Sequence, residues 1–247
     1  FRYCHHDAGH AIGSFAVSAA GLGWEAKLLE SLTGGDLAVL LGVHVQTGVE
    51  AEHADCLLAV FPQGAGFTID EQRVFTIPGT VSDELRDARW SGVPNRLSSD
   101  HHPWPVIDEV AAVTEKLSPP GEAFWSPITF DNSSLVIGDL PLALRRIIHQ
   151  RRSAVALDGH TGFTRDAFYR VLLKVMPGLR QVPFTTLKWR PCVDLLLFVH
   201  RVADLPPGLY ALLRDPTRTE VLKDEMDRTF VWTRPAGCPP SLPLYFL

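Results

Sequence analysis

Cys4, His5, His6 and His10 are the first residues in this sequence whose types can do chemistry. His6 and His10 stand four apart, so a helix puts both imidazoles on one face, a spacing that can hold zinc. A catalytic zinc also needs a third ligand and an orienting shell. No HExxH run supplies them, and Cys4 and His5 are expected ahead of the helix, on another face. Hydrogen-bonded histidines are the favoured reading, and no metal is assigned. His101 and His102 are adjacent, so their side chains point apart in any regular structure and share no ligand. The basic run Arg145-Arg146, then Arg151-Arg152-Ser153, is the more useful feature. Two guanidinium forks and a hydroxyl at a helix end can bind a phosphate. Taken alone, a solvated helix end is the commoner meaning of such a run. The sequence has no GxSxG elbow, P-loop or GxGxxG, which removes serine-hydrolase, nucleotide-triphosphatase and Rossmann assignments made on motifs.

Cys4, Cys56, Cys192 and Cys238 are far apart and form no CxxC pair. That pattern predicts reduced, buried thiols and a cytoplasmic protein. The net charge of −5 speaks against a chain-wide nucleic-acid or anionic-lipid surface. No apolar run is long enough to span a bilayer, so neither nucleic acid nor membrane is an expected partner. With 247 residues, 46% of them apolar and 21% charged, the chain can bury a sizeable core without a metal or disulfide staple. It opens on Phe1 and closes on the apolar run Leu242–Leu247, which reads as a fragment cut from a longer protein.

The elements that would position these residues can be read from periodicity. A helix is expected from an N-cap at Asp7 to Trp24, with Ala8, Ala11, Ile12, Phe15, Ala19 and Leu22 at helical spacing. Its other faces carry no charge, which predicts burial on several sides. Gly9 and Gly13 each weaken a helix by about 1 kcal/mol, so close packing is expected to compensate. Asp36–Gly42 reads as a shorter helix ended by its glycine, and Cys56–Phe61 as a buried strand. From Pro62 to about Pro103 the pattern dissolves into a connector. Pro105 then opens a helix with Val106, Val110, Val113 and Leu117 on one face. Ser118–Ser134 reads as loop. A second organised region starts at Asp139, with a short helix through Leu144, Ile147 and Ile148 that ends in Arg151-Arg152-Ser153. Thr164 caps another helix, carrying Phe168, Val171, Leu172 and Val175 and stopped by Pro177-Gly178. Val193–Val202 and Gly208–Asp215 form a hairpin across Pro206-Pro207, Thr217–Phe230 is helical, and Leu242–Leu247 is a final strand. The fold class is α+β, with an antiparallel sheet packed on helices.

Ile147 to Ser153, followed by the Asp158-Gly159 turn and the helix capped at Thr164, resembles the opening of nitroreductase-like flavoproteins. More narrowly it is similar to the SagB/ThcOx branch, which includes azoline-oxidising dehydrogenases. Phe198-Val199-His200-Arg201-Val202 through Pro207-Gly208-Leu209-Tyr210 resembles the strand–PGLY–strand segment of that branch. His6-Asp7-Ala8-Gly9-His10-Ala11, running into Ala19–Trp24, is similar to the buried central helix of a nitroreductase domain. Leu40–Val43 and Cys56–Phe61 are similar to the segments after that helix.

The resemblance implies a tandem protein with a nitroreductase-like fold. Residues 1–62 would close a first repeat, 63–138 would be a linker with one helix, and 139–247 would open a second repeat. It implies an FMN-dependent oxidoreductase working as a dimer or intramolecular pseudo-dimer. Arg151, Arg152 and Ser153 would contact the FMN phosphate and ribityl chain. NADH or NADPH would be the reductant, and a small molecule or modified peptide the substrate. No side-chain acid or base is assigned. A degenerate, non-catalytic scaffold or peptide-binding domain is the alternative. Val155 stands where the family often has a further Arg, and Thr185–Pro191 replaces its Ser/Gly-rich flavin loop; both favour that alternative.

Overall fold

The computed structural model describes residues 2–48, 50–64, 76–95, 99–100, 102–118, 141–178, 181–187 and 189–247. The chain divides into two compact units, Phe1–Phe124 and Trp125–Leu247. Helices and small antiparallel sheets occur together in both, so the class is α+β.

The first unit opens with α1 (Arg2–Gly21) and β1 (Trp24–Leu28). The expected N-cap at Asp7 lies inside α1, because the helix is already running at Arg2, and Trp24 begins a strand rather than ending the helix. Nor is α1 buried all round. Ile12, Ala16 and Ala19 form a buried stripe, while Ala11, Ser14 and Ser18 are exposed and Phe15 keeps 45% of its surface. The sheet beside it has two strands and covers one stripe of a helix. β1, which periodicity did not reveal, pairs antiparallel with β2 (Leu58–Pro62), Trp24 opposite Pro62 and Leu28 opposite Leu58. Ala26 and Leu28 turn to one face at strand spacing and are buried there, whereas Phe61, opposite Glu25 in the register, is buried on the other face.

α2 (Gly34–Leu41) starts earlier than the apolar pattern indicates, because Thr33 is its N-cap. Thr33 Oγ1 accepts from the Asp36 N–H, and Asp36 accepts from the Thr33 N–H, a reciprocal capping box. Gly42 ends it in the left-handed region at φ 71°. There a Cβ would lie 2.2 Å from the Trp90 ring, so the position needs glycine on two counts.

Among its described residues, the segment expected to be a linker with one helix carries α3 (Gly79–Asp87) and α4 (Pro105–Val113), and both belong to the first unit. Trp90 donates to Leu85 O at 3.1 Å and lays its ring edge-on to His44 beside Gly42. Lys116 O accepts from the Gly34 N–H at 3.0 Å, and its ammonium donates to Glu30 O. These bonds tie the connector to the start of α2. The inward face of α4 is Ile107, Val110 and Ala111; Val106, Val113 and Leu117 are exposed, so the face lies one position away from the expected stripe.

In the second unit, α5 (Pro141–Gln150) precedes α6 (Arg165–Lys174), which Thr164 caps by accepting from the Ala167 N–H. Asp139, the expected start of this region, lies outside the described residues, as does Ser118–Ser134 beyond its first residue. β3 (Leu195–Val199), β4 (Gly208–Leu212) and β5 (Leu244–Phe246) form an antiparallel sheet in that order, with Leu195 opposite Leu212 and Val199 opposite Gly208. The expected hairpin is present. Tyr169, Leu172 and Met176 of α6 and its exit join Val199, Leu205, Tyr210, Leu212, Leu242 and Leu244 in the core. Gly208 of the PGLY run leaves space for Phe246, whose ring a Cβ there would meet at 2.6 Å. Tyr210 stacks edge-on against that ring and donates to Pro206 O at 2.7 Å, which closes the turn. The helix expected over Thr217–Phe230 is a single 3-10 turn, Pro216–Arg218, and then α7 (Thr219–Glu225). Asp227 stops further winding by accepting from both the N–H and hydroxyl of Thr229.

Candidate functional site

α5 is amphipathic only in part. Leu144 is half-buried, but Ile147 is 56% exposed and Ile148 is exposed with it. The helix delivers Arg151, Arg152 and Ser153 at its carboxyl end, all three exposed. The Arg151 N–H donates to Ile147 O at 2.8 Å and completes the last turn. The Arg152 guanidinium folds back to donate to His149 O at 3.0 Å and Arg151 O at 2.8 Å. These are carbonyls left over at the negative end of the helix dipole, where a cation is favoured. Arg152 is therefore occupied as a cap. The Arg151 guanidinium and the Ser153 hydroxyl make no hydrogen bond among the described residues. Arg146 is turned away, its Nε donating to Gln150 Oε1 at 3.3 Å.

The second unit also holds an open groove of about 380 Å³ along β3, lined by Thr161, Gly162, Phe163, Phe168 and residues 196–202. Phe163 closes one end by bridging Val202 in parallel, its N–H donating to Arg201 O at 3.0 Å and its carbonyl accepting from Ala203 N–H at 2.9 Å. No candidate residue pointed here. A signal was present in Leu195-Leu196-Leu197-Phe198-Val199, a strand apolar on both faces rather than alternating.

In the same unit, Arg190 pairs with Asp215 at 2.5 Å, and Asp215 also accepts from the Thr217 N–H and hydroxyl. Burial pushes the Asp215 carboxyl up, but the Thr217 and Arg190 bonds outweigh it and hold the group below its ordinary value. Arg214 donates to the carbonyls of Val175 and Val193 and lies over the Phe184 ring. Both arginines have structural partners and join strand ends to helix ends.

The amino-terminal histidines do not converge. His6 and His10 share a face of α1 as their spacing requires, but both are exposed and the His10 ring sits 3.2 Å from His6 O. Cys4 lies within α1, not ahead of it. Among the described residues no group of three His, Cys, Asp or Glu side chains is placed to hold a metal. The thiols are free, yet Cys4, Cys56 and Cys192 are exposed and only Cys238 is half-buried, which corrects the expectation of burial. Cys4 lies on an uncovered face of α1, and Cys56 and Cys192 lie just ahead of β2 and β3, outside the apolar stripes that the cores bury. Burial raises Cys238 most, and the nearby Arg234 guanidinium opposes the shift.

Among the described residues no helix is long and apolar enough to cross a membrane. Comparison with protein-family models, with curated proteins and with solved structures returns no match.

Proposed function

We propose that this chain is part of an FMN-dependent oxidoreductase of the nitroreductase kind, in the SagB/ThcOx branch. The observation that carries the reading is the division of labour after α5. Arg152 neutralises the carbonyl end of the helix, and among the described residues Arg151 and Ser153 remain as uncommitted donors beside it. A phosphate set against bare helix-end carbonyls would be repelled. With Arg152 in place, Arg151 can offer a bidentate fork and Ser153 a hydroxyl to the phosphate end of FMN. Bound FMN would supply the hydride chemistry, with NADH or NADPH as reductant and a small molecule or modified peptide as substrate. Dimer or pseudo-dimer pairing of nitroreductase-like repeats belongs to the same proposal.

Titrating the chain with FMN and following quenching of flavin fluorescence tests this. Charge-assisted bonds are worth about 1.5–3 kcal/mol each, so Arg151→Ala should weaken binding by about 10- to 150-fold. Arg151→Lys should recover part of the loss, and Arg145→Ala should change little. Equal affinity in all variants, or no quenching at all, returns Arg151 to a solvated helix end.

A second reading, a non-catalytic scaffold or peptide-binding domain, is favoured by the open groove along β3. An extended segment can add to such an edge. A colourless protein that takes up no flavin supports it over the first.

A further inference from the structure

We propose that the outer edge of β3 is an interface between two copies of this chain, each strand Leu195–Val199 adding antiparallel to the other's sheet. The inference does not rest on flavin binding.

The direction of the backbone groups is set by the far side of the sheet. Leu247 N–H donates to Leu209 O at 2.9 Å, and Leu213 N–H to Pro243 O at 3.0 Å. The alternation of an antiparallel ladder then turns Gly208, Tyr210 and Leu212 toward β3. Their register partners Val199, Leu197 and Leu195 use their backbone groups on β4. Leu196 and Phe198 therefore present N–H and C=O on the outer side. At the opposite edge Phe246 exchanges both bonds with Thr233, at 2.7 and 3.0 Å, so that edge is closed. Among the described residues nothing pairs with the outer edge of Leu195–Val199. The strand carries no charge, proline or bulge to blunt it. Leu196 is 54% exposed and Phe198 76%, side by side on one face.

The occupant is identified by self-complementarity. A two-fold pairing must place like faces together, so the centre falls on a residue. Centred on Leu196, it would set Asp194 against Phe198. Centred on Phe198, it would set Leu196 against His200 and Leu195 against Arg201, apolar side chains against polar ones. Centred on Leu197, it sets Leu196 against Phe198, Leu195 against Val199, and Asp194 against His200 at both ends. Apolar faces apolar, and a carboxylate faces an imidazole. Asp194 Oδ1 accepts the Arg214 N–H at 2.7 Å and the carboxylate lies in the field of the Arg214 guanidinium, but among the described residues Oδ2 accepts no hydrogen bond and is left for this contact. The paired stretch stops before the Phe163–Val202 bridge, and by symmetry the partner's stops at the same point.

Sedimentation equilibrium of the whole chain across a concentration series should show a monomer–dimer equilibrium. Phe198→Pro removes an outward N–H without touching the β3–β4 ladder, and His200→Asp sets carboxylate against carboxylate. Each should raise the dimer Kd at least about tenfold. In the unaltered chain, amide hydrogen exchange at Leu196 and Phe198 should slow as concentration rises. That measurement stands even if a variant fails to fold. A monomer at every concentration, a Kd indifferent to both substitutions, or exchange at those amides independent of concentration overturns the proposal.

Discussion

Arg190 and Asp215 meet at 2.5 Å with unequal exposure, the arginine side chain half in solvent and the carboxylate almost wholly buried. The pair joins the segment before β3 to the turn after β4, and Thr217 completes the set. Removing the arginine leaves a buried carboxylate with only its Thr217 donors. Because Arg190 is half-exposed, screening reduces its value, and Arg190→Met should destabilise by about 1–2 kcal/mol in urea unfolding. The folded Asp215 carboxyl lies below its ordinary value. Its contribution is therefore complete above the unfolded carboxylate value of about 3.9 and lost as pH falls through the lower folded value. Arg190→Met should flatten that acid limb; an unchanged slope below about pH 4 would show that the pair contributes nothing.

Thr33 and Asp36 invite a double-mutant cycle. The Thr33 N–H bond to Asp36, reinforced by the Thr33 hydroxyl, holds the Asp36 carboxyl below its usual range. Thr33→Val and Asp36→Ala should each cost about 1 kcal/mol. Together they should cost less than their sum, because each partner serves the other. Strict additivity would mean two independent caps.

The reach of the sequence divides between local and distant chemistry. In the second unit the Thr164 cap, the Pro206-Pro207 hairpin and the final strand are all visible, because each rests on local chemistry within a few residues. Gly42 was visible as a helix end for the same reason. β1 was not, since Trp24-Glu25-Ala26-Lys27-Leu28 is short and its partner lies across the loop to Leu58. The uncharged faces of α1 suggest burial on several sides, which the structure does not give. Periodicity states what a helix can bury, whereas the two-stranded sheet beside it limits what is covered. Of the candidate site, the clustering of Arg151, Arg152 and Ser153 was legible. That Arg152 would turn back to the helix carbonyls was not, because a sequence does not say which of two adjacent guanidiniums caps the helix.

Gly42 and Gly9 should respond to alanine in opposite directions. At Gly42 the new Cβ carries a left-handed penalty of about 1–2 kcal/mol and collides with Trp90, so a loss of about 2–4 kcal/mol is expected. Pairing it with Trp90→Ala should relieve the collision and leave the backbone penalty. Gly9 is exposed within α1 and nothing lies within 4 Å of its Cβ position. Gly9→Ala should therefore stabilise by about 0.5–1 kcal/mol. Thermal melts of the three variants decide both; destabilisation by Gly9→Ala would show that this face is packed after all.

Tyr169 should be among the last groups in the protein to ionise. Burial raises its hydroxyl most, with Cys238 and Tyr210 adding and Arg165 and Arg234 opposing, to a value of about 12. The same hydroxyl donates to Ala236 O at 2.8 Å, a bond that ionisation would destroy. A phenol whose folded value exceeds its unfolded value of about 10 stabilises the fold below the latter, and that stability is lost as pH rises through the former. Alkaline unfolding should therefore set in between about pH 10 and pH 12. A tyrosinate absorbance titration should show a late component, to which Tyr210, also pushed up by burial, contributes, and Tyr169→Phe should reduce it by one tyrosine. The same substitution should cost about 1 kcal/mol at neutral pH through the lost hydrogen bond. Four tyrosines ionising in one step at the ordinary value, in protein still folded, would place the Tyr169 hydroxyl in solvent and undo the core contact described for α6.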